Sequence, residues 1–167
     1  QNSLGRLYGA RYSLGGLTGS LPASVDLHEV ACAVCQSDGS TFMQPGSVSC
    51  PDGWTTEYDG YLMGSSYNAQ KSEAVCVDKN AESPTSGSSA TITASAQTLF
   101  FQEVKCGTLP CQPGKYTANR ELGCAVCTSP VSGSIYTKWG KEECNPLWST
   151  LVYEGYPASG SSANTGS

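Results

Sequence analysis

Hydrophobic residues occur along this chain in short runs that Gly, Pro, Ser and Asp interrupt. No Leu or Ala stripe has the period of an amphipathic helix, whereas aromatic and polar residues alternate in stretches such as 55–62. Alternation places apolar side chains on one face of a strand, and the intervening glycines and prolines are typical of turns. The sequence therefore predicts an all-β fold, with strands at 7–12, 31–35, 48–50, 55–62, 74–77, 98–104, 123–127 and 150–156.

The chain also repeats itself. Three motifs occur twice in the same order, with offsets of 92 to 95 residues: C-A-V-C at 32–35 and 124–127, C-x3-W at 50–54 and 144–148, and Y-x-G-Y at 58–61 and 153–156. Because a constant order with a nearly constant offset is rare by chance, we interpret it as the duplication of one β module.

The repeat defines the organisation of the chain. The two modules span about 30–78 and 122–160 and are expected to pack together in a single domain covering 1–167. Between them, the Ser/Thr-rich segment 83–97 is typical of a mobile loop or of an exposed pair of strands. The Ser- and Gly-rich tail at 158–167 is expected to be flexible.

Cysteine use indicates where the protein resides. The chain has nine cysteines and begins at Gln1 without a methionine, as a processed secretory protein does. Two CxxC motifs could together bind zinc, but Ala-Val between the cysteines favours strands, and a redox CxxC needs a βαβ setting. We therefore expect a secreted protein with four disulfides and one odd cysteine. The odd cysteine is either a buried free thiol or an intermolecular bridge, and we favour a covalent homodimer. The duplication suggests Cys35–Cys50 and Cys127–Cys144 as pairs, although spacing alone leaves the connectivity open.

Charge and missing motifs exclude several functions. The net charge is −5, and the nine Lys and Arg residues are scattered, so neither nucleic acid nor anionic lipid is an expected partner. No apolar stretch is long enough to span a membrane, and no membrane insertion is expected. His28 is the single histidine, and no nucleophile elbow, P-loop or zinc-protease motif accompanies it. We therefore expect a binding protein and not an enzyme, although a carboxylate-pair hydrolase or a hydrolase inhibitor stays open.

One segment has the pattern of a hard-cation loop. Asp78-Lys-Asn80-Ala-Glu82 places oxygen-bearing side chains at every second position directly after a predicted strand. Such alternation is also common in solvated loops that bind nothing. The nearby acids could complete a coordination shell of six to eight oxygens, which gives the predicted metal ligands Asp78, Asn80, Glu82, Glu73 and Asp59.

Eight blocks of the sequence together carry a family resemblance. They are C-A-V-C at 32–35, M-Q-P-G at 43–46, C-P-D-G-W at 50–54, E-Y-D-G-Y-L-M at 57–63, S-E-A-V-C-V-D at 72–78, C-G-T-L-P-C at 106–111, R-E-L-G-C-A-V-C at 120–127 and Y-T-K-W-G-K at 136–141. In these blocks the chain resembles the invertebrate short-chain collagen C4-like (spongin-type) domain, and within that group the collagen-free galactose-specific lectins of sea anemones. At Asn80-Ala81 the family pattern has Asp-Pro, so a neutral carbonyl replaces a charged ligand.

The resemblance implies a calcium-dependent lectin. Ca²⁺ would be held by the loop and would present open positions to vicinal hydroxyls of galactose-terminated glycans, in a homodimer without enzymatic activity. The residues that we expect to contact the sugar are Gln44, Glu57, Tyr61, Tyr67 and Lys79. Because the second module has no counterpart of 78–82, we expect one site per chain. An extracellular matrix or assembly domain without sugar binding is the alternative.

Overall fold

The computed structural model describes residues 9–15, 20–66, 73–84, 97–105, 120–138, 141, 143–147 and 149–153. The predicted all-β fold is confirmed: one turn of 3-10 helix at Ala23–Val25 is the only helical element in this part of the chain. The strands are β1 (Ala10–Ser13), β2 (Thr41–Pro45), β3 (Thr55–Gly64), β4 (Val75–Asp78), β5 (Gln97–Phe101) and β6 (Gly123–Thr128).

The strands form one mixed six-stranded sheet in the order β1-β5-β3-β6-β2, with β4 paired to β3 outside this path. Strand β3 is the centre of the sheet, because it pairs antiparallel with β4, β5 and β6. Strand β1 runs parallel to β5, and β2 runs antiparallel to β6 at the other end of the order. The ten residues of β3 thus join the two halves of the chain.

The hydrophobic core covers one face of this sheet. Met63 of β3 is fully buried, and the segment around Val25 packs against it from outside the sheet. Backbone hydrogen bonds hold that segment along β1, since the Tyr12 amide donates to the His28 carbonyl and the Leu27 amide donates to Tyr12, at 3.0 and 3.1 Å. The other buried members of the cluster are Tyr12, Leu14, Leu21, Val77 and Ala81.

Five of the predicted strands are confirmed in substance, as β1, β3, β4, β5 and β6. The strands predicted at 31–35 and 48–50 are wrong, because both segments are irregular. Residues 150–153 form no strand either, and 154–156 lie outside the described residues, as does most of the predicted loop 83–97 and all of the tail 158–167. Strand β2 was not predicted.

Two disulfides staple the sheet: Cys50–Cys127 and Cys76–Cys124. The suggested pairs Cys35–Cys50 and Cys127–Cys144 are therefore wrong in this structure. Both observed bonds join the first repeat to the second, since β6, which contains Cys124 and Cys127, pairs with β3. Within the described residues, Cys32, Cys35 and Cys144 are free thiols.

Candidate functional site

The loop predicted to bind calcium lies at one corner of the sheet, where β3 and β4 meet. Gly60 pairs with Asp78 and Tyr61 pairs with Val77, so the residues that follow β4 lie beside Asp59. We call Asp59, Tyr61, Asp78, Lys79 and Asn80 the β3–β4 corner. The predicted residues that the structure brings together are these five.

Lys79 and Asp59 form the centre of the corner. The Lys79 amide donates to the Asp59 carbonyl at 3.1 Å. The Lys79 ammonium donates to both carboxylate oxygens of Asp59, at 2.8 and 3.0 Å. About half of the Lys79 side chain stays exposed, against 28% of Asp59. The pair thus presents a cationic donor and an anionic acceptor side by side to solvent.

The charge on Lys79 is secured by its partner. The hydrogen bond that the Lys79 ammonium donates to Asp59, and then the negative charge of that carboxylate, raise the pKa of Lys79 above its ordinary value of 10.5. An elevated lysine pKa means that the group stays protonated at every pH below that value. Lys79 is therefore a permanent donor at physiological pH.

Asp78 has a different role, because its carboxylate shapes the turn. Its Oδ1 accepts a hydrogen bond from the Asn80 amide at 2.8 Å, and its carbonyl accepts one from the Ala81 amide at 3.0 Å. This is the local turn that aspartate side chains favour. The buried Ala81 anchors the end of the turn in the core.

Asp59 and Asp78 point away from opposite faces of the sheet. Side chains alternate along a strand, so Asp59 and Tyr61 share a face with Val77, whereas Asp78 lies across from Gly60 on the other face. Tyr58 lies on that second face and is close enough to Asp78 to be affected by its charge. Burial first, and then the charges of Asp78 and the Cys35 thiol, raise the pKa of the Tyr58 hydroxyl. The two carboxylates that were predicted to share a calcium ion thus extend from opposite faces of the sheet at the same corner.

The described residues do not fit calcium in this arrangement. No group of three or more His, Cys, Asp or Glu side chains among them is placed to hold a metal ion. Lys79 already neutralises Asp59, and both Glu73 and Glu82 are exposed. Ca²⁺ needs six to eight oxygen ligands, so binding at this corner requires Lys79 to leave Asp59 and further ligands to approach.

The remaining predicted sugar-binding residues lie elsewhere. Tyr61 packs its ring edge-on against Phe101, with 5.5 Å between centroids, and so belongs partly to the core. Gln44 lies on β2 and has a buried amide oxygen without a hydrogen-bond partner among the described residues. Tyr67 lies outside the described residues.

Glu57 lines a second feature, a polar cleft of about 520 Å³. Glu57 is the residue of a β-bulge in β3, between Thr56 and Tyr58, and bulges turn a side chain away from the regular alternation. Its carboxylate accepts a hydrogen bond from the Thr128 hydroxyl at 2.6 Å. The rest of the lining comes from 36–39 and 129–132. No local sequence signal indicates this cleft, because its two walls are about 90 residues apart and meet only through the β2–β6 register.

Comparisons with known proteins add no relative. No protein-family model matches the chain, no curated protein matches it, and no solved structure matches it. In the part of the chain that the structure describes, no helix is long and apolar enough to cross a membrane. Two disulfides are compatible with an extracellular location. Any function assigned to the chain therefore has to be argued from its own residues.

Proposed function

We propose that this protein is a secreted lectin that binds terminal galactose at the β3–β4 corner. The observation that supports it most is the exposed Lys79–Asp59 pair, with its ammonium and carboxylate 2.8 Å apart. A sugar hydroxyl both donates and accepts hydrogen bonds, so two vicinal hydroxyls are matched by one fixed donor and one fixed acceptor. The choice of galactose rests on the family resemblance. Galactose differs from glucose in its axial 4-hydroxyl, so its vicinal hydroxyl pair points in a different direction and a fixed donor and acceptor can distinguish the two sugars.

The corner is pre-arranged for such a ligand. The backbone hydrogen bond between Lys79 and Asp59 and the Asp78 turn fix three consecutive residues relative to β3. Asn80, the next residue along the chain, is exposed and carries an amide donor and acceptor. Hydrogen bonds to charged groups are the stronger kind, but an open corner offers little apolar contact. We therefore expect a dissociation constant of about 1 mM for one sugar, which corresponds to about 4 kcal/mol.

Two sugars bound at once would raise this affinity. Linking two weak sites converts the second contact into an intramolecular one, and the gain in avidity is on the order of 10²-fold or more. We propose a homodimer as the bivalent unit, with galactose-terminated glycans as its partners.

Replacing Asp59 by asparagine tests the site. Asp59→Asn removes the charge that holds Lys79 and weakens the acceptor, so galactose affinity is expected to fall about tenfold, as measured by titration calorimetry. Glu57→Gln is the matched control, because it neutralises a carboxylate two residues away on the same strand that faces the cleft. Unchanged binding in Asp59→Asn together with lost binding in Glu57→Gln would move the sugar to the cleft.

Calcium can be tested through Lys79. If calcium competes with the Lys79 ammonium for Asp59, Lys79→Met is expected to tighten calcium binding by about fivefold to tenfold, since one unit charge is removed at contact distance. Calcium titration calorimetry of both proteins measures the affinity and the stoichiometry. Equal affinities would place calcium away from the corner, and two ions per chain would contradict a single site.

An assembly domain is the second candidate function, and one observation favours it. Several large apolar side chains of the second half are exposed, among them Val131 at 68% and Leu147 at 76%. Where such residues form one contiguous patch, the patch is typical of a surface that another protein covers. A protein that forms a stable oligomer by sedimentation analysis and ignores a panel of immobilised glycans would support this candidate.

A further inference from the structure

The described disulfides and ladders cross between the two repeats. Cys50 of the first repeat is bonded to Cys127 of the second, and β2 and β3 of the first flank β6 of the second. The first module is therefore completed by the C-A-V-C strand of its copy. A duplicated chain that completes one module in this way contains the residues to complete the other.

The repeat register names those residues. In the C-x3-W motif Cys144 is the counterpart of Cys50, and in the C-A-V-C motif Cys35 is the counterpart of Cys127. The reciprocal of the observed Cys50–Cys127 bond is thus Cys35–Cys144. Strand β2 has a counterpart as well, because Gly39-Ser-Thr-Phe-Met43 aligns with Gly133-Ser-Ile-Tyr-Thr137 at an offset of 94 residues.

In the structure these counterparts are free cysteines and exposed apolar side chains. Cys35 and Cys144 are free thiols, and Cys35 is exposed. Val34 is fully exposed, whereas its counterpart Val126 lies in β6, paired with Met43 and Tyr58 on its two sides. The apolar residues that the second ladder would cover are exposed in the same way, at Ile135, Tyr136, Leu151 and Tyr153.

Contacts within the chain bring the open segments together. The Ser40 hydroxyl donates to the carbonyl of Gly133. Both residues belong to the repeated Gly-Ser dipeptide, which is 39–40 in the first repeat and 133–134 in the second. Phe42 stacks on Tyr153 with 5.8 Å between ring centroids, and Tyr153 is the counterpart of Tyr58. The first repeat and the end of the second are thus neighbours in one chain.

We propose that Cys35 and Cys144 form a third disulfide within the chain and that 31–36 then pairs with 135–138 and 150–153, reciprocally to β6 between β2 and β3. In this step the two thiols release two protons and two electrons, one S–S bond forms, and a small-molecule disulfide such as oxidised glutathione is reduced to two thiols. The site is a disulfide that closes the second module. It does not depend on sugar binding.

Disulfide mapping of the full-length protein tests this directly. The unreduced protein, purified after oxidative refolding in glutathione, is alkylated and digested with trypsin and Asp-N. This digestion places Cys35 on peptide 26–37, Cys144 on 142–167, Cys50 on 38–51, and Cys106 with Cys111 on 106–115. The expected product is 26–37 linked to 142–167 and absent after reduction.

Two controls show which cysteine of peptide 26–37 forms the bond and whether the bond lies within one chain. Cys32 lies on the same peptide as Cys35, so the link is expected to persist in Cys32→Ser and to disappear in Cys35→Ser. When a mixture of ¹⁵N-labelled and unlabelled protein is refolded, the two peptides of each linked pair are expected to be either both labelled or both unlabelled. Alkylated Cys35 or Cys144 in the wild-type protein, a bond from either residue to another cysteine, or mixed-label linked peptides would overturn the proposal, and mixed labels would assign the pairing to two copies of the chain.

Discussion

Gly60→Ala is expected to lower the free energy of unfolding by about 3 kcal/mol and to abolish the corner. A Cβ at Gly60 would overlap the carbonyl oxygen of Val77 and lie 2.9 Å from the Lys79 amide. Both atoms are backbone, so no side chain can turn aside, and β4 has to move away from β3. Because that movement breaks the Lys79–Asp59 backbone hydrogen bond, galactose binding is expected to fall together with stability.

Urea denaturation and galactose titration of the same samples measure both effects. Gly133→Ala is the control, because a Cβ there meets nothing within 4 Å. Its stability and its sugar binding are expected to match the wild type within about 0.5 kcal/mol. Equal stabilities of Gly60→Ala and Gly133→Ala would show that β3 and β4 do not approach as closely as the structure has them.

Removing the Cys76–Cys124 disulfide is expected to cost about 4 kcal/mol of stability. The bond closes a loop of 48 residues, and its loss releases that conformational entropy in the unfolded chain. It also joins β4 to β6 across β3, since Leu62 lies opposite Cys76 and Gly60 opposite Cys124. The double variant Cys76→Ala/Cys124→Ala is therefore expected to unfold at a much lower urea concentration and to lose β4 from the sheet first.

Hydrogen exchange of the β4 amides and urea denaturation check this expectation. Cys32→Ala is the control, because the Cys32 thiol is exposed and free and its removal is expected to change stability by less than about 0.5 kcal/mol. A double variant as stable as Cys32→Ala would contradict the assigned pairing of Cys76 with Cys124.

Local pattern predicted the centre of the fold but missed one edge. Alternation in 55–62 indicates β3 because this ten-residue strand is long enough to show the two-residue period of a β-strand. The apolar run at 123–127 indicates β6 because most of that strand is buried. Strand β2 escaped prediction because it ends in Pro45, and proline lacks the amide that an inner strand needs. It is tolerated here because β2 pairs only with β6, at the end of the strand order.

The two C-A-V-C segments show why pattern alone cannot assign a strand. One forms β6 and has both cysteines fully buried, whereas the other is irregular and exposed. The letters are identical, so the difference comes from neighbours: β6 lies between β2 and β3, and 31–35 forms no ladder among the described residues. β-propensity describes how well a residue fits an existing sheet, and it does not create the sheet.

The disulfide pairing could not be predicted from the sequence, because it too depends on which strands become neighbours in the sheet. A bond within a repeat closes a loop of about 15 residues and the observed Cys50–Cys127 bond closes one of 77, yet loop-closure entropy differs between the two by only about 1.5 kcal/mol. Packing of β6 against β3 outweighs that difference. Spacing therefore could not decide between pairing inside a repeat and pairing across repeats.

The site was predicted in part. The sequence placed Asp78, Lys79 and Asn80 together because they are consecutive, but the partnership of Lys79 with Asp59 depends on the β3–β4 register, which no local motif encodes. The alternation read as a calcium loop belongs to a strand end and a tight turn, in which the Asp78 carboxylate binds a backbone amide. Glu57, two residues from Asp59, is turned away by a bulge that the sequence does not reveal.

Galactose binding at the β3–β4 corner is tested most directly by an NMR titration of the ¹⁵N-labelled protein with galactose. Mannose is the comparison sugar, and calcium or EDTA is present in parallel samples. Saturable shifts of the Asp59, Tyr61, Lys79 and Asn80 amides are expected for galactose only. The half-maximal shift is expected near 1 mM. No shifts up to about 50 mM galactose, or shifts confined to the cleft residues 36–39 and 128–132, would contradict it.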